Sequence, residues 1–94
     1  MSVPSRRILL TLFTSKNCSL CEEAKIVLER VRHKIPFELE QKDIRAPGNE
    51  KWFEEYKYDI PVLHLNGSFL LEHRVNEETL EKTLTKFNRD GVVE

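Results

Sequence analysis

The chain has 94 residues against roughly 150 expected per domain, so a single domain over residues 1–94, with one core, is the expectation. A chain this short buries only about 60 to 65% of its unfolded surface, which predicts a shallow site rather than a deep cavity. Fifteen Lys and Arg against sixteen Asp and Glu leave a net charge of -1, which excludes the strongly basic face that phosphate backbones select, and with it a nucleic-acid partner.

The balance of 39% hydrophobic and 33% charged residues excludes the disordered class. Two cysteines are too few for the dense disulfide framework of small secreted domains, so they are free for other chemistry. The apolar run Ile8 to Phe13 follows two arginines, but it is short and leads to Lys16 with no small-residue cleavage site, so it reads as a buried strand. No stretch approaches the roughly 20 apolar residues that span a bilayer, and no membrane partner is expected. No acidic residue precedes Glu22, an echo of a mitochondrial presequence, yet only Met1 to Arg7 can be removed without destroying the first strand. Cytosol and mitochondrial matrix both stay open; both are reducing.

Ile8 to Thr14 is nearly continuous in β-favouring residues, the pattern of a strand covered on both faces at the centre of a sheet. From Leu20 the apolar residues recur at Ala24, Val27, Leu28, Val31 and Ile35, one stripe on a helix that Pro36 ends. Phe37 to Glu40 alternates with period two, predicting a half-buried strand nearer the sheet edge, and Arg45 to Gly48 is loop. Asn49 is placed to cap a two-turn helix carrying Trp52, Phe53 and Tyr56 on one side. Pro61 to Leu65 and Phe69 to Leu71 flank Asn66-Gly67, a strong hairpin signal because both residues tolerate positive φ. Asn76 caps a last helix with Glu77 and Glu78 in its first turn, Leu80, Leu84 and Phe87 as its stripe, and Gly91 beyond its end. The order is β-α-β-α-β-β-α, one sheet with helices on its faces, the first helix reaching its face through a right-handed crossover.

The chemistry concentrates at Cys18-Ser19-Leu20-Cys21, between the central strand and the first helix. Unpaired N–H groups of a first turn donate to a thiolate, and the peptide dipoles favour negative charge there. Such a position lowers a cysteine pKa from about 8.5 toward the range of about 3.5 to 7.5. Cys18, at the cap, is the expected exposed attacking thiolate; Cys21, one turn in on the same face, is close enough to resolve a mixed disulfide. Lys16 and Lys25 are cationic neighbours in sequence that add to this stabilisation, while Glu22 and Glu23 oppose it.

The bland reading is a pair of incidental small hydrophobes, but strand, motif and helix in a βαβ context favour a redox pair. A zinc site would need Cys18, Cys21 and His33, yet no fourth ligand follows and His33 lies far along the helix. Ile60-Pro61, at the start of a core strand, removes a ladder donor and marks a turn or a place where something else pairs with the backbone. His64 reads as a surface or packed residue, Trp52 or Phe53 as core, and Tyr58 is left open. The Glu- and Lys-rich run from Glu77 to Lys86 is a wet helix face.

Leu12-Phe13-Thr14, Cys18 to Lys25 and Asp59-Ile60-Pro61-Val62-Leu63 resemble the glutaredoxin branch of the thioredoxin fold, over roughly Ile8 to Phe87. The resemblance implies an α/β, thioredoxin-like architecture with a four-stranded mixed sheet ordered 2-1-3-4. It further implies a cis peptide before Pro61, Cys18 as nucleophile beside that proline, and an Ile60 backbone that pairs with a bound peptide or thiol substrate. The sequence departs from the family where glutathione is usually held. Ser15 stands where a lysine is usual, with Lys16 one residue later, and His73 and Arg74 occupy the stretch of the usual glycine pair and acidic cap. Ser19 replaces the motif's proline, a change that in some glutaredoxins accompanies a [2Fe-2S] cluster.

The expectation is thus a monomeric thiol-disulfide oxidoreductase acting on protein or glutathione mixed disulfides. Its catalytic pair is Cys18 and Cys21, and Lys16, Ile60, Pro61, His73 and Arg74 face the substrate. It requires no metal or organic cofactor, with glutathione as reductant or co-substrate. The alternatives are a thioredoxin-like interaction or assembly module with little turnover, and a [2Fe-2S]-binding glutaredoxin.

Overall fold

The computed structural model describes residues 7–91; the rest of the N-terminal segment weighed above as a removable leader lies outside them. In chain order the elements are β1 (Leu9–Thr14), α1 (Ser19–Lys34), β2 (Glu38–Asp43), α2 (Glu50–Tyr56), β3 (Val62–Leu65), β4 (Ser68–Glu72) and α3 (Glu77–Asp90). They form one four-stranded sheet in the order β2-β1-β3-β4, with β1 parallel to β2 and antiparallel to β3, and β3 antiparallel to β4. This is the thioredoxin-like α/β arrangement with the strand order the family resemblance implies.

The two sides of the sheet follow from the period of two along each strand. Leu10 and Leu12 of β1 and Leu63 and Leu65 of β3 join Ala24, Leu28 and Val31 of α1 and Leu80 and Leu84 of α3 in one buried cluster. Phe13, Val62 and Ile44 form a second, covered by Trp52, Phe53, Tyr56 and Ile60. Helices α1 and α3 therefore share one face, and α2 covers the other. Lys34 of α1 ties the helix pair from outside, its ammonium 3.4 Å from Glu77 and 3.1 Å from Glu81.

The apolar run of β1 is the central strand, as its composition requires, with only Leu9 less than fully buried. β2 lies at the edge but runs three residues past the alternating stretch. The parallel ladder carries it on to Thr14 opposite Asp43, so backbone pairing rather than side-chain pattern sets its length. Asn66 and Gly67 turn the hairpin at φ 47° and 87°. The Asn66 side chain also clasps the start of β1, accepting from Leu9 N–H at 2.8 Å and donating to Arg7 O at 3.1 Å. Asn76 caps α3 by accepting from Thr79 N–H at 2.9 Å, and Gly91 ends it in the left-handed region at φ 73°. Asn49 corrects the reading from sequence. It holds the cap position of α2 without a side-chain cap bond, because its amide donates instead to Asp43 O at 2.8 Å, pinning the loop after β2. Among the described residues no helix is long and apolar enough to cross a membrane.

Candidate active site

Strand register assembles the site. Thr14 ends β1 opposite Asp43, Phe13 pairs with Val62 at the start of β3, and Val62 pairs with Glu72 at the end of β4. His73 N–H then donates to Pro61 O at 2.7 Å. The loop carrying Lys16 and Cys18, the Ile60-Pro61 turn and the His73-Arg74 segment accordingly leave the sheet at the same edge.

Cys18 is the N-cap residue of α1, with extended backbone (φ -117°, ψ 104°). Its Sγ accepts the Cys21 N–H at 3.2 Å, and its carbonyl accepts from Glu22 N–H at 3.1 Å. A sulfur in the cap position thus receives a donor that the first turn would otherwise leave unpaired, the geometry that favours an anion there. Cys18 is half-buried, whereas Cys21 is 0% exposed. The two form a disulfide, with Cα atoms 5.2 Å apart. Asn17, just before the cap, turns the loop in the left-handed region at φ 60°, a conformation that asparagine tolerates better than most residues.

The charges around the cap are arranged differently from the sequence expectation. Lys25 is committed to Glu22, Nζ to Oε2 at 2.8 Å, so the added cation and one opposing carboxylate offset one another. Lys16 is exposed and has no ion-pair partner among the described residues. It borders an open cleft of about 520 Å³ between the β1–α1 loop and β2, with Thr14, Ser15, Lys25, Gln41 and Asp43 on its walls. The buried hydroxyls of Thr14 and Ser15 have no hydrogen-bond partner among the described residues.

The Ile60–Pro61 peptide is cis, and Pro61 is fully buried. Ile60 N–H donates to Tyr56 O at 3.2 Å. His73 sits at φ 69° with its ring turned toward carboxylates, Nε2 3.4 Å from Glu72 and 3.7 Å from Asp59. Asp59, Glu72 and His73 are the group of metal-ligating side chains that falls together among the described residues, with ligand atoms within 4.8 Å. All three are at least partly exposed, and their contacts are those of a surface ion-pair cluster. The exposed Arg74 has its Nη1 4.0 Å from Glu23 Oε1. His33, weighed for zinc, is exposed in the last turn of α1, at the far end of the helix from the cysteines.

Two features escaped the sequence reading. The sequence assigns Glu23 only a general opposing charge, not a partner, and the spacing of residues 23 and 74 offers no local signal of their approach. His64 is packed, as one of the two readings allowed, but its setting is specific. It lies 8% exposed among Phe13, Trp52, Tyr56 and Phe69, and burial lowers its pKa from the ordinary histidine value. Tyr58 is 86% exposed, which settles it as a surface residue.

The fold and the cysteine pair together define a thioredoxin-like protein whose helix-capping Cys18 and buried Cys21 support a redox-type thiol function. The family model of the glutaredoxin-like domain (DUF836) matches residues 9–85. The chain is 33% identical over 91 residues to the glutaredoxin-like protein YDR286C homolog of Dictyostelium discoideum, covering 93% of this chain and 84% of that one. It therefore belongs to the glutaredoxin-like family within the thioredoxin superfamily. Among solved structures it is similar to protein Ne2328 of Nitrosomonas europaea, with a TM-score of 0.73 and 26% identity over 87% of this chain and 96% of that one. Its fold is also similar to that of oxidised thioredoxin O2 from Arabidopsis thaliana, with a TM-score of 0.65 and 18% identity over 87% of this chain and 76% of that one.

Proposed function

We propose that the protein is a thiol-disulfide oxidoreductase of glutaredoxin type. In the reduced form the Cys18 thiolate attacks one sulfur of a substrate disulfide. That S–S bond breaks, the first thiolate leaves and takes up a proton, and a mixed disulfide to Cys18 remains. Cys21, deprotonated in turn, attacks the Cys18 sulfur, expels the second substrate thiol and closes the Cys18–Cys21 bond. The substrate gains two electrons and the protein loses two; a dithiol or two molecules of a monothiol such as glutathione restore it. No metal or organic cofactor enters the cycle. A protein or glutathionylated disulfide is the expected substrate, its backbone N–H donating to the Ile60 carbonyl beside Pro61.

The observation that carries this reading is the division of labour within the pair. The half-buried Cys18 sulfur accepts an N–H of the first turn, while Cys21 is sealed one turn further in, where its sulfur meets the Cys18 sulfur itself. Thiol-disulfide exchange needs the attacking sulfur accessible and activated and the resolving sulfur protected. The test is turnover of a small neutral disulfide coupled to a thiol reductant. The wild-type chain should turn over, Cys18→Ser should abolish the activity, and reduced Cys21→Ser mixed with the disulfide in the absence of reductant should stop at a mixed disulfide that mass spectrometry detects. Wild-type inactivity, or full activity in Cys18→Ser, contradicts the proposal.

A further inference from the structure

Three buried side-chain oxygens lack a hydrogen-bond partner among the described residues: Asn88 Oδ1 on α3, and the hydroxyls of Thr14 and Ser15 at the edge of the sheet where Cys18 stands. A buried hydroxyl left unpaired is a cost to the fold and calls for an explanation. Thr14 is 6% exposed and ends β1. Leu12 and Leu10, two and four residues earlier, pack with Ala24, Leu28 and Val31 of α1, whereas Phe13 belongs to the cluster on the other face. The period of two therefore turns the Thr14 side chain toward α1. Cys21 stands three residues before Ala24 on the same buried stripe of α1 and is 0% exposed. Because β1 enters α1 through residues 15–18, the end of the strand's row lies beneath the start of the helix's stripe, with Thr14 against the turn that carries Cys21. Thr14 shares a cleft wall with Glu22 and Lys25 of that part of the helix. Ser15 lies past the end of the strand and outside this row.

We infer that the Thr14 hydroxyl is the partner of the Cys21 sulfur in the reduced protein: when the Cys18–Cys21 bond opens, Thr14 donates its O–H to that sulfur and so favours the dithiol over the disulfide. The inference rests on the thiol-exchange reading above and adds a positioning residue to its cysteine pair. On reduction by glutathione, two thiols supply two electrons and two protons, the Cys18–Cys21 bond breaks and oxidised glutathione forms. The Cys21 sulfur then changes from a disulfide sulfur, a weak acceptor, to a thiol or thiolate held away from water. A sulfur that bears negative charge is the stronger acceptor, and a hydroxyl already buried against its turn supplies the hydrogen bond that solvent does not. One rotation about the Thr14 Cα–Cβ bond carries the hydroxyl from one staggered well to another. Each cysteine then has its own donor, Cys18 the Cys21 N–H and Cys21 the Thr14 hydroxyl. The unpaired hydroxyl counts against the disulfide and the paired one for the dithiol, so both effects push the equilibrium the same way.

The test equilibrates the full chain with glutathione buffers of set ratio, quenches with acid, alkylates the free thiols and reads the dithiol and disulfide forms by mass spectrometry. Thr14→Val, which keeps the shape and removes the hydroxyl, should shift the equilibrium toward the disulfide by about three- to tenfold, roughly 15 to 30 mV for a two-electron couple. Thr14→Ser, which keeps the hydroxyl, should restore the wild-type equilibrium to within about twofold. Iodoacetamide should label Cys18 of reduced Thr14→Val at the wild-type rate, because the hydroxyl serves Cys21. The inference is overturned if Thr14→Val leaves the equilibrium unchanged or moves it toward the dithiol. It is equally overturned if Thr14→Ser shifts the equilibrium as far as Thr14→Val, which assigns the effect to packing, or if Cys18 labelling changes by the same factor, which assigns it to Cys18. Should the wild-type chain exchange nothing with glutathione, the thiol-exchange reading fails, and the same comparison in dithiothreitol buffers still decides the role of Thr14.

Discussion

The phenol oxygen of Tyr56 lies 2.8 Å from Nε2 of His64, inside the aromatic cluster that seals the α2 face of the sheet. The tautomer of the neutral imidazole decides which of the two groups donates. Burial lowers the His64 pKa, so the folded state takes up its proton at a lower pH than the unfolded chain does. Between those two values the unfolded state holds more protons, and stability falls as pH drops below about 6.5. Chemical denaturation across mildly acidic pH should show this loss, and His64→Gln should flatten it. An unchanged slope in the variant assigns the acid sensitivity to other groups.

The same contact has a consequence at the alkaline end. Desolvation first, and then the charges of Glu55, Asp59 and Glu72, raise the Tyr56 pKa. The unfolded phenol therefore ionises first, and the contribution of Tyr56 to stability is present below about pH 10 and lost above it. Tyr56→Phe should show a smaller decline there, read by the same titration.

Capping sets the start of α3. Asn76→Ala removes the acceptor for Thr79 N–H and should cost about 1 kcal/mol. For a chain of this size that is a fall of roughly 4 to 8 °C in Tm. Asn49→Ala should show no helix-capping loss of this kind, because its side chain serves the Asp43 carbonyl instead; its cost is that of one loop hydrogen bond, about 0.5 to 1.5 kcal/mol. Thermal melts of the two variants, with helix content followed by circular dichroism, distinguish these origins.

Leu28 and Leu84, both 0% exposed, meet in the core beneath α1 and α3. Either change to Ala should destabilise the chain by about 2 to 5 kcal/mol through lost burial and a residual cavity. Denaturant midpoints measured on oxidised protein check this, and a loss below about 1 kcal/mol would indicate that the helix pair closes over the gap.

What the sequence discloses is what one element decides alone. The continuous apolar run ending at Thr14, the helical stripe from Ala24 to Val31, the Asn66-Gly67 turn and the Asn76 cap each carry a local signal, and each stands in the structure. The position of Cys18 at a helix cap was legible for the same reason, since strand, loop and helix follow one another along the chain. Features that join distant elements were not legible. β2 extends to Asp43 because β1 offers it a ladder, Asn49 abandons its cap for a carbonyl across the loop, and Lys25 is held by Glu22 instead of supporting Cys18. Arg74 meets Glu23 only because the β3–β4 hairpin returns its end to the edge of the sheet where α1 begins. Charges on long exposed side chains carry no periodic signature, so their partners emerge only with packing.

The account's central claim is that the first turn of α1 holds the Cys18 sulfur as an anion, and the pH profile for alkylation of the reduced chain by iodoacetamide, with the modified residue identified by mass spectrometry, tests it most directly. Cys18 should react first, with an apparent pKa well below the ordinary thiol value of about 8.5, while Cys21 stays protected until the chain unfolds. An apparent pKa at or above that value, or faster labelling of Cys21 in the folded protein, would contradict the account.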